Sequence, residues 1–102
     1  MEYSALLQIA KELEETQPEC FIIIYENSHV EFRLENKTYR IEDEPYLYES
    51  YITYNIKLQQ KEKLLTINEV KIEKRDKEEV KSTLHISKHF LDCDKIAHII
   101  IP

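Results

Sequence analysis

The sequence predicts an α+β fold: one N-terminal helix packed across a highly curved antiparallel sheet of five to seven strands, mostly joined as hairpins. Three observations carry this reading. A helical spacing of apolar residues occurs clearly only once, near the N-terminus. From residue 20 onward the apolar period is two, as strands require. Turn signals then recur between the short runs, too closely spaced for crossover helices. With 102 residues, the chain is expected to form a single domain over 1–102.

The helix is expected over 4–16, with Ser4 as its N-cap. Leu6, Ile9, Ala10 and Leu13 fall on one face, and Lys11, Glu12, Glu14 and Glu15 on the others. Thr16, Gln17 and Pro18 end it. The run CFIIIYE (20–26) reads as a strand buried on both faces. HVEFRLE (29–35) alternates, with Val30, Phe32 and Leu34 inward, and KTYRIE (37–42) continues the pattern through Tyr39 and Ile41. Tight hairpins need positive φ, and the chain contains no Gly. Asn27 and Asn36 are the residues expected to take that conformation.

A long strand is expected over 47–58, and another over 64–74 after the turn QQKEK. In the latter, Leu65 and Ile67 have one parity and Val70 and Ile72 the other, which a bulge near Asn68 and Glu69 would reconcile. The segment 78–90 has a thin helical stripe (Val80, Leu84, Ser87, Leu91) and a better strand pattern. Val80, Leu84, Ile86 and Phe90 form one face, and Lys81, Thr83, His85, Ser87 and His89 the other. It is assigned as a strand paired with 64–74 through Arg75, Asp76 and Lys77. Asp92, Cys93 and Asp94 form a turn into a closing buried strand, 95–101.

The net charge of −6 is unevenly spread: residues 1–50 hold 12 acids against 4 bases, whereas 51–102 hold 8 acids against 10 bases. An acidic half without a concentrated basic patch disfavours direct nucleic-acid binding and favours a basic protein surface as partner. Lys57, Lys61, Lys63, Lys71, Lys74, Arg75, Lys77 and Lys81 would form a basic stripe, but Glu62, Glu69, Glu73, Asp76, Glu78 and Glu79 interleave with them and cancel the field. No apolar run reaches the roughly 20 residues of a membrane span. The acidic start MEYSALLQIAKELEE is unlike a secretion signal, so a cytoplasmic location with free thiols at Cys20 and Cys93 is expected. Scarcity of Gly, Ala, Pro and Arg, whose codons are GC-rich, points to an AT-rich gene of the kind common in low-GC bacteria and mobile elements.

Chemical motifs are few. His85, His89, Cys93 and His98 would suit zinc on a helix, where i, i+4 and i+8 share a face. On a strand, His85 and His89 stand roughly 13 Å apart, too far to share an ion. Solvent-facing histidines and a small buried thiol are the plainer reading, and no metal or other cofactor is expected. Without Gly there is no phosphate loop, dinucleotide fingerprint or nucleophile elbow. Cys93 between Asp92 and Asp94 sits in a field that opposes a thiolate. A non-enzymatic protein is expected.

The remaining candidate is EDEPYLYESYITYN (42–55). Parity in strand 47–58 places Tyr48, Ile52, Tyr54, Ile56 and Leu58 on the apolar face, and Glu49, Tyr51, Thr53, Asn55 and Lys57 on the polar one. Glu42, Asp43, Glu44, Tyr46, Glu49 and Tyr51 are therefore the expected partner-binding residues, acids to meet a basic surface and tyrosines to anchor it. The plain alternative is a polar loop leading into a half-buried strand. The function expected is inhibition or modulation of a basic nucleic-acid-handling protein by an acidic surface that imitates nucleic acid, as phage anti-defence inhibitors do. A homodimeric acidic chaperone or assembly factor for a basic client is the alternative, and a metal or enzymatic site at His85, His89, Cys93 and His98 is the third class.

Overall fold

A computed structural model describes residues 1–75 and 78–102, with the side chains of 78–83 and 85 outside that description. The predicted turn residues Asp76 and Lys77, and the facing of Val80, Lys81, Thr83 and His85, accordingly lie outside the described residues. The chain runs α1 (Tyr3–Thr16), β1 (Cys20–Tyr25), β2 (Ser28–Arg33), β3 (Lys37–Tyr39), β4 (Tyr48–Gln59), β5 (Leu64–Arg75), β6 (Glu78–Asp92), a 3₁₀ turn (Cys93–Lys95) and β7 (Ile96–Ile100). The fold class is the expected one, an N-terminal helix on curved antiparallel sheet. The strands divide into two sheets, ordered β2-β1-β7 and β3-β4-β5-β6, and every pairing is antiparallel.

Helix α1 begins one residue before the expected start. Ser4 lies inside the first turn, Glu2 occupies the cap position, and no side chain caps the helix. Leu6, Ala10 and Leu13 are buried, the i, i+4, i+7 stripe that the sequence indicates. The helix ends where Gln17 turns left-handed at φ 45° and its N–H returns to the Leu13 carbonyl.

A single core joins both sheets and the helix. Phe21 and Ile23 of β1, Phe32 of β2, Tyr54 and Ile56 of β4, Leu65 and Ile67 of β5, Leu91, Cys93 and Ile96 close around the helical stripe. At its centre Phe21 stacks on Phe32 with ring centroids 4.7 Å apart, and Tyr54 meets both edge-on at 5.1 and 6.0 Å. The core fills only the half of β4–β6 nearest the β4–β5 turn. The other half continues past it, giving the molecule a 52 Å long axis against 24 and 20 Å across.

Several expectations are corrected by packing. The β1 run is buried on one face only: Phe21 and Ile23 are inside, while Ile22 and Ile24 are half-exposed on a face that nothing covers completely. Strand β7 is an edge, not a closing buried strand; Ile96 is buried, but Ala97, His98 and Ile100 are exposed. Positive φ falls on Gln17, Glu26, Asp43 and Lys63 rather than on Asn27 and Asn36. The β1–β2 hairpin needs the left-handed residue at its first position, which is Glu26, so turn geometry outweighs the preference of Asn for that region.

The expected irregularity near Glu69 exists, but its extra residue belongs to β6. Glu69 pairs with Ser87 and Val70 with His85, which leaves Ile86 as the bulge. Against β4 the register of β5 is unbroken, so Val70 and Ile72 remain on the face opposite Leu65 and Ile67. The bulge also inverts parity along β6. Beyond it Ser87, His89 and Leu91 join the core face, and Phe90, expected inward, turns to the reverse side, 60% exposed. Ile86, also expected inward, is the bulge itself, 47% exposed. Leu84, opposite Lys71, keeps the core-side face but lies past the core and is 63% exposed.

Candidate partner-binding site

Of the six expected partner residues, Glu42, Asp43, Glu44 and Tyr46 belong to the excursion from β3 to β4, and Glu49 and Tyr51 to β4 itself. Residues 41–44 form a turn closed by the Glu44 N–H donating to the Ile41 carbonyl at 3.1 Å, with Asp43 left-handed at φ 69°. In a chain without Gly, Asp is among the residues that enter this region most readily. The turn projects Glu42, Asp43 and Glu44 into solvent, and Glu49 is exposed on β4. Among the described residues, no ion pair involves these four carboxylates.

The tyrosines are distributed differently from the acids. Tyr54 is buried as expected. Tyr48, expected in the core, is half-buried beyond it, stacked on Tyr39 at 5.3 Å, and its hydroxyl donates to Glu44. That hydrogen bond stabilises the neutral phenol and, with partial desolvation, pushes the Tyr48 pKa up. Tyr46 lies beneath the Arg75 guanidinium, whose Cζ is 4.6 Å from the ring centroid. Arg75 is opposite Tyr48 in the ladder and shares its face. Alternation along β4 then assigns Glu49 and Tyr51 to the other face, with Lys74 and Ile72 opposite them on β5. The structure thus brings Glu42, Asp43, Glu44 and Tyr46 to one end of the sheet, and holds Glu49 and Tyr51 apart from them on its reverse side.

Glu49 and Tyr51 line a cleft of about 390 Å³ instead, together with Gln17, Leu34, Lys37 and Ile52. It opens between the start of β3, where Lys37 pairs with Ser50, and Gln17 at the end of α1. An adjoining hollow is bordered by Glu19 and Glu35. Sequence reasoning missed this cleft, because it lies beyond the first residue of β3: Lys37 pairs with Ser50, and 34–36 run from β2 to β3 without pairing with β4 at Ile52.

A second polar group was also unanticipated. On the core face of β5 and β6, Ser87 Oγ donates to Glu69 Oε1 at 2.9 Å, and His89 Nε2 lies 2.9 Å from that same oxygen and 3.2 Å from Ser87 Oγ. A serine relay needs the hydroxyl on one imidazole nitrogen and the carboxylate on the other. Here both converge on Nε2 and the hydroxyl is committed to Glu69, so the trio is a closed network that holds His89 edge-on to Phe32 at 4.9 Å. The sequence signal that could have found it was the bulge, which carries positions 87 and 89 to the inside.

Of the other residues of the metal string, Cys93 and His98 do not assemble around His89. Cys93 is buried in the core, His98 is exposed on β7 opposite Ile24, and the His85 side chain lies outside the described residues. Among the described residues, no group of three or more His, Cys, Asp or Glu is placed to hold an ion. Burial, followed by the charges of Asp92 and Asp94, pushes the Cys93 thiol pKa up. Burial and a 3.5 Å contact with Glu31 act the same way on Cys20. Among the described residues no helix is long and apolar enough to cross a membrane. Comparisons with protein families, curated proteins and solved structures found no match to this chain.

Proposed function

We propose that the protein is a small acidic, non-enzymatic binding protein that inhibits or modulates a basic nucleic-acid-handling protein, presenting carboxylates where that partner expects phosphates, as phage anti-defence inhibitors do. The observation that carries the reading is the exposure of Glu42, Asp43 and Glu44 on the β3–β4 excursion and of Glu49 on β4. Charges neutralised internally would have little field left for a partner; these four project into solvent, where they add to long-range steering toward a basic surface. Tyr46 contributes an aromatic anchor beside them, already faced by Arg75. An arginine from a partner would compete for the same ring.

The test is charge reversal. Untagged protein is used to capture a basic partner from the native host, and a quadruple variant, Glu42→Lys, Asp43→Lys, Glu44→Lys and Glu49→Lys, is compared with it at several salt concentrations. Loss of capture with an unchanged circular dichroism spectrum is the expected result. Undiminished capture by the folded variant would remove the acidic excursion from the mechanism.

A second reading, a dimeric acidic chaperone or assembly factor, is favoured by one observation. Edge strand β6 exposes Leu84, Ile86 and Phe90, three large apolar side chains that a monomer leaves in water. Sedimentation equilibrium decides it, because a monomer at micromolar concentration is incompatible with a constitutive dimer.

A further inference from the structure

Even-numbered residues of β4 turn their backbone N–H and C=O away from β5. Tyr54 shows the direction: its N–H donates to Gln17 Oε1 at 2.8 Å, and its carbonyl accepts from Gln17 Nε2 at 2.9 Å. One pair further along, the Ile56 N–H donates to Glu14 Oε1 at 3.3 Å. At the other end, β3 covers the same edge by pairing Tyr39 with Tyr48 and Lys37 with Ser50. Between these covers stands Ile52, which points the same way by parity. Among the described residues, none caps its edge-facing amide and carbonyl. The position opens into the cleft lined by Gln17, Leu34, Lys37, Glu49 and Tyr51.

We propose that this gap is a binding slot for a short extended peptide segment, which adds to β4 at Ile52 between β3 and Gln17. The molecule displays the required chemistry beside the gap, since the Gln17 carboxamide pairs with Tyr54 as a peptide group would. The slot holds one peptide unit directly, an alternate side chain of the segment rests on Leu34, and neighbouring side chains pass Glu19, Glu35 and Glu49. That border is acidic apart from Lys37, so the segment it fits best carries Lys or Arg. This inference deepens the reading of a basic partner and rests on it for the charge of the peptide, though not for the slot itself.

The test is an amide-resolved NMR titration of the full chain with two capped peptides, Ac-Lys-Val-Lys-Val-Lys-NH2 and Ac-Glu-Val-Glu-Val-Glu-NH2. The basic peptide is expected to shift the Ile52 amide saturably and slow its hydrogen exchange, and to bind roughly tenfold or more tightly than the acidic one. Ile52→Pro removes the edge-facing N–H, on a side of the strand where Pro is tolerated. Asn36→Trp fills the cleft from an exposed loop and leaves the sequence of β4 unchanged. Each is expected to weaken the basic peptide about tenfold while retaining a dispersed spectrum. Equal binding of both peptides at Ile52 would keep the slot and overturn the basic partner. An Ile52 amide unmoved at about 1 mM peptide, a weak-binding limit, would overturn the slot and leave the charge-reversal test to decide the rest.

Discussion

Gln17 joins the end of the helix to the open edge of β4, and its removal tests whether that junction contributes to stability. The side chain makes two hydrogen bonds with the Tyr54 backbone, at 2.8 and 2.9 Å, and one to the Glu14 carbonyl at 2.9 Å. Each of the two part-buried bonds contributes about 1 kcal/mol net, and Gln17→Ala leaves the Tyr54 N–H and C=O to partial solvation, so a loss of about 2–3 kcal/mol is expected. Gln17→Gly loses the same bonds, but the residue sits at φ 45°, where a Cβ costs about 1 kcal/mol. Glycine should therefore be the milder change, costing about 1–2 kcal/mol. Urea unfolding followed by circular dichroism measures both, and a 2 kcal/mol loss corresponds to a fall in Tm of about 10 °C for a domain of this size. A Gln17→Ala variant within about 0.5 kcal/mol of the parent, or a glycine variant less stable than the alanine one, would refute the reasoning.

Among the described residues the buried Tyr54 hydroxyl has no hydrogen-bond partner, so Tyr54→Phe should leave stability unchanged or raise it by about 1 kcal/mol in the same unfolding assay. Burial, and secondarily the Glu69 charge, pushes the Tyr54 pKa up, so the folded state keeps this proton after the unfolded chain loses it near pH 10. Stability is then intact below that pH and falls by about 1.4 kcal/mol per pH unit above it, and Tyr54→Phe should remove this part of the slope in unfolding measured against pH. Cys93 is buried and Cys20 half-exposed, so iodoacetamide should modify Cys20 first and reach Cys93 only on unfolding, read by mass spectrometry of the labelled peptides. Phe90→Ser on the exposed edge should change stability by less than about 0.5 kcal/mol, whereas Leu6→Ala in the core should cost about 3–4 kcal/mol, a contrast that thermal unfolding resolves.

Features that depend on periodicity and local chemistry were legible in the residues alone. The stripe of Leu6, Ala10 and Leu13 made α1 legible, because 3.6-residue spacing has one geometric meaning. Alternation made β2, β4 and β5 legible, together with Tyr54 as core and the acids of 42–44 as surface. Tertiary structure decided what depends on register and on which elements cover which edges. One extra residue at Ile86 inverts the faces of β6, bringing His89 to Glu69 and leaving Phe90 in water, because a period of two cannot absorb an odd insertion. Division of the strands into two sheets leaves β7 an edge and β1 covered on one side, which a uniformly apolar run cannot foretell. The gap at Ile52 exists because β3 begins at Lys37, opposite Ser50, and the Gln17 side chain takes up the same edge at Tyr54. Backbone hydrogen-bonding capacity is the same at every position of a strand, so only the fold can say which amide is left uncovered.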